Sequence, residues 1–127
     1  MSRELTRHKT NECNKQIEVV ARKPGAGGAA TCYDIFGPRK ACGQAGMVPS
    51  FGLNMKFQDG PVADGVNGLT NEVLLAIVED RLVGFQSGKF ANEHNGEALE
   101  CIRSAQQALE ARTAERIDRG VEGTHTV

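Results

Sequence analysis

A chain of 127 residues with 15 basic and 16 acidic side chains has a formal net charge of −1. This length suits one domain, or a small domain with an appendage. The balanced charge argues against a general binder of DNA or RNA, which would show a clear basic excess. No apolar run approaches the length of a membrane span, so we also expect no membrane partner.

The cysteines are scattered through the chain without any C-x-x-C pair. Structural zinc sites need closely spaced ligand pairs, and a secreted disulfide framework would accompany a signal peptide. The first 15 residues are polar throughout and carry neither pattern. We therefore expect reduced thiols, no metal or cofactor, and a cytoplasmic location. The four cysteines are Cys13, Cys32, Cys42 and Cys101.

The N-terminal half is predicted to form a small antiparallel β-sheet. Strands are expected where β-branched or alternating apolar residues occur, over residues 16–23, 30–37 and 51–58. Residues 1–15 are charged and aperiodic, which favours a flexible tail or a short helix that docks on a partner subunit. Segment 38–49 is rich in glycine and basic residues, and we expect it to be a connecting loop.

One string in this half, Gly25-x-Gly27-x-x-Ala30, matches the dinucleotide-binding fingerprint. That fingerprint requires a strand before the loop and a helix after it, within a βαβ unit. Here a strand-like segment follows, so we interpret the string as a hairpin loop. Segment 37–46 likewise lacks the Gly-Lys-Ser/Thr ending of a phosphate-binding P-loop.

From Gly65 onward the pattern predicts an antiparallel helical hairpin. Thr70 is expected to be the N-cap of the first helix and Asn92 that of the second, with a polar, glycine-containing turn between them. The first helix is too apolar to have a single dry side, so we expect more than one surface to cover it, the sheet and a second copy of the chain.

The expected fold class is α+β, a small N-terminal antiparallel β-sheet followed by a C-terminal antiparallel α-helical hairpin. The expected regions are 1–15 (flexible tail), 16–64 (β-rich region) and 65–127 (hairpin with a C-terminal tail).

The second helix carries the clearest pattern, an apolar stripe at steps of three and four that leads to Arg112 and Arg116. Arginine is rarely buried without a partner, so the pair indicates an anion site. The alternative is that both arginines lie at a helix C-terminus, where cations suit the dipole and the nearby Glu110, Glu115 and Asp118 supply partners. The stripe consists of Ala98, Leu99, Ile102, Ala105 and Leu109.

Phe85 ends the first helix, and Asn95 lies in the first turn of the second. Each has an ordinary structural interpretation, as a core residue and as a capping residue. With the two arginines they would also suit a compact nucleotide, because a ring stacks on a base, an amide reads hydroxyls or base edges, and guanidinium groups grip a pyrophosphate. Asn95 and Arg112 are 17 residues apart, about 25 Å of helix. If all four residues serve one ligand, that ligand must therefore be shared by two antiparallel subunits.

After Arg119 the helix is expected to end through Gly120 as its C′ residue. The tail that follows, VEGTHTV, is short and polar. It is interpreted either as a disordered end or as a source of polar contacts.

The strings GVNGLTNE, LLAIVEDRL, GFQSGKF and ALEARTAERIDRGVEGTHTV resemble the C-terminal hairpin of phage Thoeris anti-defence sponges of the first-described type. Related hairpins occur in phage anti-CBASS sponges, and the close match covers residues 57–127. The resemblance implies a protein without enzymatic activity. Such a protein binds and sequesters the cyclic ADP-ribose isomers (glycocyclic ADP-ribose) that bacterial TIR enzymes make as an alarm signal, and some members also bind cyclic oligonucleotides at a separate site.

Carried over to this sequence, the family's ligand-binding residues fall on Phe85, Asn95, Arg112 and Arg116. The tail, including Gly120 and Thr124, would be a lid over the ligand. The resemblance further implies a homo-oligomer, a dimer or a hexamer, with the ligand at a subunit interface in the cytoplasm of the infected host cell.

Two other functions remain open at this point. A nucleotide-cleaving enzyme would use His125 or Glu122 near Arg116, although the sequence shows no nucleophile–base motif and no clustered metal ligands. An oligomeric helical scaffold would use the arginines only to pair with acidic residues.

Overall fold

The computed structural model describes residues 2–25 and 27–124. The chain divides into two compact units. The sheet unit comprises Met1–Gly60 with Asp64–Gly68, and the hairpin unit comprises Pro61–Ala63 with Leu69–Val127. The α+β fold class predicted from the sequence, with an antiparallel sheet before a helical hairpin, is confirmed.

The sheet unit is built on a four-stranded antiparallel sheet in the order β1–β2–β3–β6. A separate two-stranded antiparallel ribbon pairs β4 with β5. Ala21 is completely buried in this unit, and the rings of Tyr33 and Phe57 pack edge-to-face with centroids 5.5 Å apart. The strands are β1 (Arg3–Leu5), β2 (Glu18–Ala21), β3 (Cys32–Phe36), β4 (Arg39–Ala41), β5 (Met47–Pro49) and β6 (Gly52–Lys56).

Polar pairs join neighbouring strands of this sheet. Asp34 on β3 accepts a hydrogen bond from the side-chain amide of Asn54 at 2.7 Å and pairs with Arg22. The Asn54 amide, followed by the Arg22 guanidinium, lowers the pKa of Asp34. Lys9 joins Glu4 at 2.8 Å to Glu18 at 2.7 Å, and so ties the segment after β1 to β2.

Two parts of the N-terminal half differ from the sequence prediction. Residues 1–15, expected to be a flexible tail or a short helix, contain a strand, β1, paired with β2, and a short helix α1 (Glu12–Lys15). The connecting loop expected over 38–49 contains the β4–β5 ribbon. Strands of three residues are too short to show periodicity, so their pairing partners, and not their own sequences, place them.

The glycine-rich string lies in the connection from β2 to β3, where Pro24 and Ala30 form an isolated antiparallel bridge. Its interpretation as a hairpin loop is confirmed on both sides of Ala26, which lies outside the described residues. A strand follows the loop, so the dinucleotide fingerprint lacks its helix.

The hairpin unit consists of α2 (Asn71–Gln86) and α3 (Glu93–Asp118). Both predicted N-caps are confirmed: Thr70 Oγ1 accepts from the Val73 N–H at 3.2 Å, and Asn92 Oδ1 accepts from the Asn95 N–H at 2.8 Å. The turn between the helices is held by the Gln86 side chain, which bonds the backbone N–H and the carbonyl of Asn92, each at 3.0 Å.

A polar contact joins the middles of the two helices. Glu79 on α2 accepts from Gln106 at 3.1 Å and from Arg103 at 3.0 Å on α3. These two donors, the Gln106 amide first, lower the pKa of Glu79. Neither α2 nor α3 is long and apolar enough to span a membrane, and the same holds for every helix in the described part of the chain.

The inward face of α3 differs in part from the predicted apolar stripe. Ala98 and Ala105 are exposed. Gln106 takes an inward position because its partner Glu79 lies on α2. The predicted stripe is correct at Leu99, which is buried, and at Ile102 and Leu109, which are half-buried. From Leu99 onward, the inward residues of the helix are Leu99, Ile102, Gln106, Leu109, Thr113 and Arg116.

Candidate functional site

Arg116 is the buried cation at the C-terminal end of α3, with only 9% of its side chain exposed. Its Nη2 donates to the carbonyl of Val121 at 2.9 Å and to the carbonyl of Thr124 at 3.2 Å. The carboxylate of Glu122 lies 3.7 Å from its Nε. The guanidinium is therefore surrounded by oxygen acceptors from the chain's own tail.

The turn after α3 brings the tail back to Arg116. Gly120 has φ +72° and follows the C-cap residue Arg119, which confirms it as the C′ residue. Its N–H donates to the Ile117 carbonyl at 3.0 Å, and the Val121 N–H donates to the Arg116 carbonyl at 3.0 Å. These are the two bonds of a Schellman motif, for which glycine is preferred because its φ is positive.

The tail is also held at its far side by a segment distant in sequence. The Ala63 N–H donates to the Gly123 carbonyl at 3.4 Å, and the Val62 side chain lies beside Gly123. Within the tail, Thr124 Oγ1 donates to the Val121 carbonyl at 2.5 Å. Residues 121–124 thus form a compact turn between Arg116 and segment 62–63, a contact that no local sequence signal predicts.

Arg112 lies one turn before Arg116 and differs from it in environment. Its side chain is exposed, and it forms no ion pair or hydrogen bond with residues 2–25 or 27–124. Of the acids proposed as local partners, Glu115 pairs with Arg119 at 3.1 Å. At the end of α3, the Arg116 guanidinium is therefore enclosed by the tail, whereas the Arg112 guanidinium is exposed to a ligand.

At the hairpin bend, Phe85 and Asn95 are accessible. Phe85 is 42% exposed, so it is not a core residue, and the guanidinium carbon of Arg81 lies 5.7 Å from its ring centroid. The backbone N–H of Asn95 donates to the cap of Asn92. The Asn95 side-chain amide makes no hydrogen bond within the described part of the chain, so it remains available for recognition.

The predicted site residues fall into two groups within one chain. Because α3 is a continuous helix of 26 residues, Asn95 and Arg112 are separated by about 25 Å. One small ligand cannot contact both groups of a single chain. Phe85 and Asn95 lie at the bend, and Arg112, Arg116, Gly120 and Thr124 lie at the opposite end.

Several large apolar side chains on α2 and α3 are exposed to solvent. Leu99 is the one apolar residue counted as buried among those described in this unit. Side chains of this size on a helix normally pack against another surface. The exposed residues are Val73, Ile77, Val78, Val83, Phe85 and Ile117.

The sheet unit contains an open cleft of about 370 Å³ that the sequence did not indicate. Two arginines line it, and one of them, Arg22, is already paired with Asp34. No cluster of three or more His, Cys, Asp or Glu side chains suited to a metal ion occurs in the described ranges. The cleft is lined by Ser2, Arg3, Arg22, Pro24, Gly28, Ala29, Ala30 and Tyr33.

A family model described as "Acb2/Tad1, hairpin domain" matches residues 52–114. This stretch of the chain is similar to the Acb2/Tad1 hairpin domain. A protein of Bacillus phage SBSphiJ7 named "Thoeris anti-defense 1" is 47% identical over 72 residues, which is 56% of this chain and 51% of that protein. The chain therefore spans about half the length of this relative. The resemblance to the phage Thoeris anti-defence sponge family is confirmed.

The match to the Acb2/Tad1 hairpin covers α2 and most of α3, including Phe85, Asn95 and Arg112. It ends at residue 114, before Arg116 and the tail. The arrangement of Val121–Thr124 around Arg116 is therefore an observation on this chain. The nucleotide-cleaving alternative placed His125 or Glu122 near Arg116. Glu122 lies 3.7 Å from the Arg116 Nε, and His125 lies outside the described residues.

Proposed function

We propose that this chain is a phage anti-defence protein that binds a cyclic ADP-ribose isomer and holds it without altering it. Holding the signal in the host cytoplasm would keep its free concentration below the level that activates Thoeris. The support for this role is the Acb2/Tad1 hairpin match and the name of the phage relative. Sequestration requires tight and slow-releasing binding, and it requires no catalytic group.

The observation that carries the proposal is the pair of cations at the end of α3. The Arg112 side chain is exposed, and Arg116 lies one helical turn away with its guanidinium buried against the tail. A pyrophosphate is a bidentate anion suited to two guanidinium groups. At the other end of the hairpin, Phe85 offers a ring for stacking and Asn95 an amide for hydrogen bonds. Together they match the chemical parts of an ADP-ribose.

The separation of the two groups leads to a shared site. In an antiparallel pair of chains, the arginine end of one α3 would lie beside the bend of the other. The ligand would then contact Phe85 and Asn95 of one subunit and Arg112 and Arg116 of its neighbour. The open apolar residues of α2, including Val73 and Ile77, would provide the contact surface for such a homo-oligomer.

The test begins with a mixture of the purified chain and glycocyclic ADP-ribose, passed through a size-exclusion column. The protein fraction is then denatured, and the released nucleotide is identified by mass spectrometry. We expect intact nucleotide at a fixed ratio to subunits. Release of cleaved products would show that the chain is an enzyme and not a sponge. Absence of nucleotide from the protein fraction would refute the binding role.

A scaffold function is the second candidate, because exposed apolar residues on α2 would favour assembly even without a ligand. The Arg112→Ala, Arg116→Ala double variant separates the two functions. A sponge keeps its oligomeric state in native mass spectrometry and loses the nucleotide. A scaffold whose arginines join subunits loses its assembly instead.

A further inference from the structure

The acceptors around Arg116 are of two kinds. The carbonyls of Val121 and Thr124 take hydrogen bonds from Nη2, and their positions are set by the Schellman turn and by the bond from Ala63. The Glu122 carboxylate faces Nε at the longer distance of 3.7 Å. The backbone acceptors are thus part of the turn, whereas the carboxylate is on a side chain that can rotate away.

The carboxylate has a physical role in the chain without ligand. A buried guanidinium is costly when no anion balances its charge. The only carboxylate that an ion pair places at Arg116 among the described residues is Glu122, whose side chain is 35% exposed. It balances the buried charge while remaining in contact with solvent, which is the arrangement of an exchangeable counter-ion.

We propose that Glu122 is the built-in counter-ion of Arg116, and that an anionic ligand binds by displacing its carboxylate. Glu122 therefore sets how tightly the site holds anions. The carbonyl bonds stay in place during the exchange, so the tail remains folded over the guanidinium. The identity of the ligand as a pyrophosphate-containing nucleotide rests on the proposed function, but the exchange itself does not.

The exchange has a definite charge balance. Glu122 leaves with one negative charge, and a pyrophosphate diester brings two, of which one meets Arg116 and the other the open Arg112. In the chain without ligand, the Glu122 Oε1 also accepts a hydrogen bond from the Gly123 N–H at 3.1 Å. A monovalent anion would gain nothing from Arg112, so this arrangement favours pyrophosphate over single-charge anions.

The test is the Glu122→Gln substitution in the full chain, with Glu110→Gln as its matched control. Glu110 is exposed on the same helix as Arg116, and its substitution makes the same change in charge. Inorganic pyrophosphate and ADP-ribose are titrated separately while the NMR signal of the Arg116 Nε–H is followed. The signal is assigned by its loss in Arg116→Lys.

We expect Glu122→Gln to bind pyrophosphate about threefold to tenfold more tightly than the unsubstituted chain, because no carboxylate competes. Glu110→Gln should gain less than about twofold, the general effect of removing one negative charge. Equal gains in the two variants would overturn the proposal. So would weaker binding by Glu122→Gln, because Glu122 would then support the ligand and not compete with it.

A separate titration with glycocyclic ADP-ribose keeps this inference distinct from the proposed function. Failure of that nucleotide to bind either chain refutes the proposed function alone. A specific gain in pyrophosphate affinity with Glu122→Gln still supports the counter-ion role in that case. If the nucleotide binds and Glu122→Gln gives no gain with pyrophosphate, the counter-ion role is wrong and the sponge function stands.

Discussion

The substitution Arg116→Ala should release the tail while leaving the helical hairpin folded. Arg116 Nη2 makes two hydrogen bonds to tail carbonyls, at 2.9 and 3.2 Å. A hydrogen bond with a charged partner contributes about 1.5–3 kcal/mol. The released carbonyls regain water, and the freed tail regains conformational entropy, so part of the loss is offset. We expect closure of the tail to weaken by about 2 kcal/mol, a factor of roughly 30.

Hydrogen exchange followed residue by residue by NMR measures this change directly. The amides of Ala63 and Thr124 should exchange about 30-fold faster in Arg116→Ala, because the first donates to the tail and the second lies within it. Amides in the middle of α3 should keep their rates, since their backbone bonds do not depend on the tail.

Arg112→Ala is the control for this experiment. Arg112 is exposed on the same helix and forms no hydrogen bond or ion pair with the described residues, so its loss should leave the exchange of Ala63 and Thr124 unchanged. Both variants should lose the nucleotide if the proposed site is correct. Unchanged exchange at both amides in Arg116→Ala would refute the role of Arg116 in holding the tail.

Four further predictions follow from the same contacts. Phe85→Ala should weaken nucleotide binding by about 1–3 kcal/mol in calorimetry through lost stacking, whereas Lys56→Ala on β6 should not; a comparable loss at Lys56 would mean that the pocket is misplaced. If the site is shared in an antiparallel dimer, mixing Phe85→Ala with the Arg112→Ala, Arg116→Ala chain should restore about one quarter of the sites after subunit exchange, and no recovery would place the site within one chain. Ile77→Glu should lower the oligomeric state in native mass spectrometry, because it puts a charge on an apolar surface that is exposed in the single chain. An unchanged mass would show that the subunit interface does not include Ile77. The pKa of Glu79 is lowered by Gln106 and Arg103, so the stabilising effect of Glu79 is present above the ordinary glutamate pKa of about 4.3 and is lost as pH falls through the lower folded value. Thermal melts from pH 6 to pH 3 should therefore show a steeper loss of stability in the unsubstituted chain than in Glu79→Gln. Parallel curves would contradict this contact.

Features that depend on neighbours along the chain were predicted from the sequence alone. Thr70 and Asn92 cap their helices, and Gly120 ends α3, because each acts on backbone groups within a few residues of itself. The separation of Asn95 from Arg112 was also predicted, since the rise of a helix is constant. The family resemblance rested on the same local strings of the hairpin.

Features that depend on distant partners required the tertiary structure. The strand β1 exists because β2 pairs with it, and Gln106 faces inward because Glu79 lies on the other helix. The burial of Arg116 depends on the tail and on Ala63, which is 53 residues before it in the sequence. Periodicity shows which side chains share one face of a helix, but it does not show which segment packs against that face. The packing contact joins parts of the chain that are far apart in the sequence.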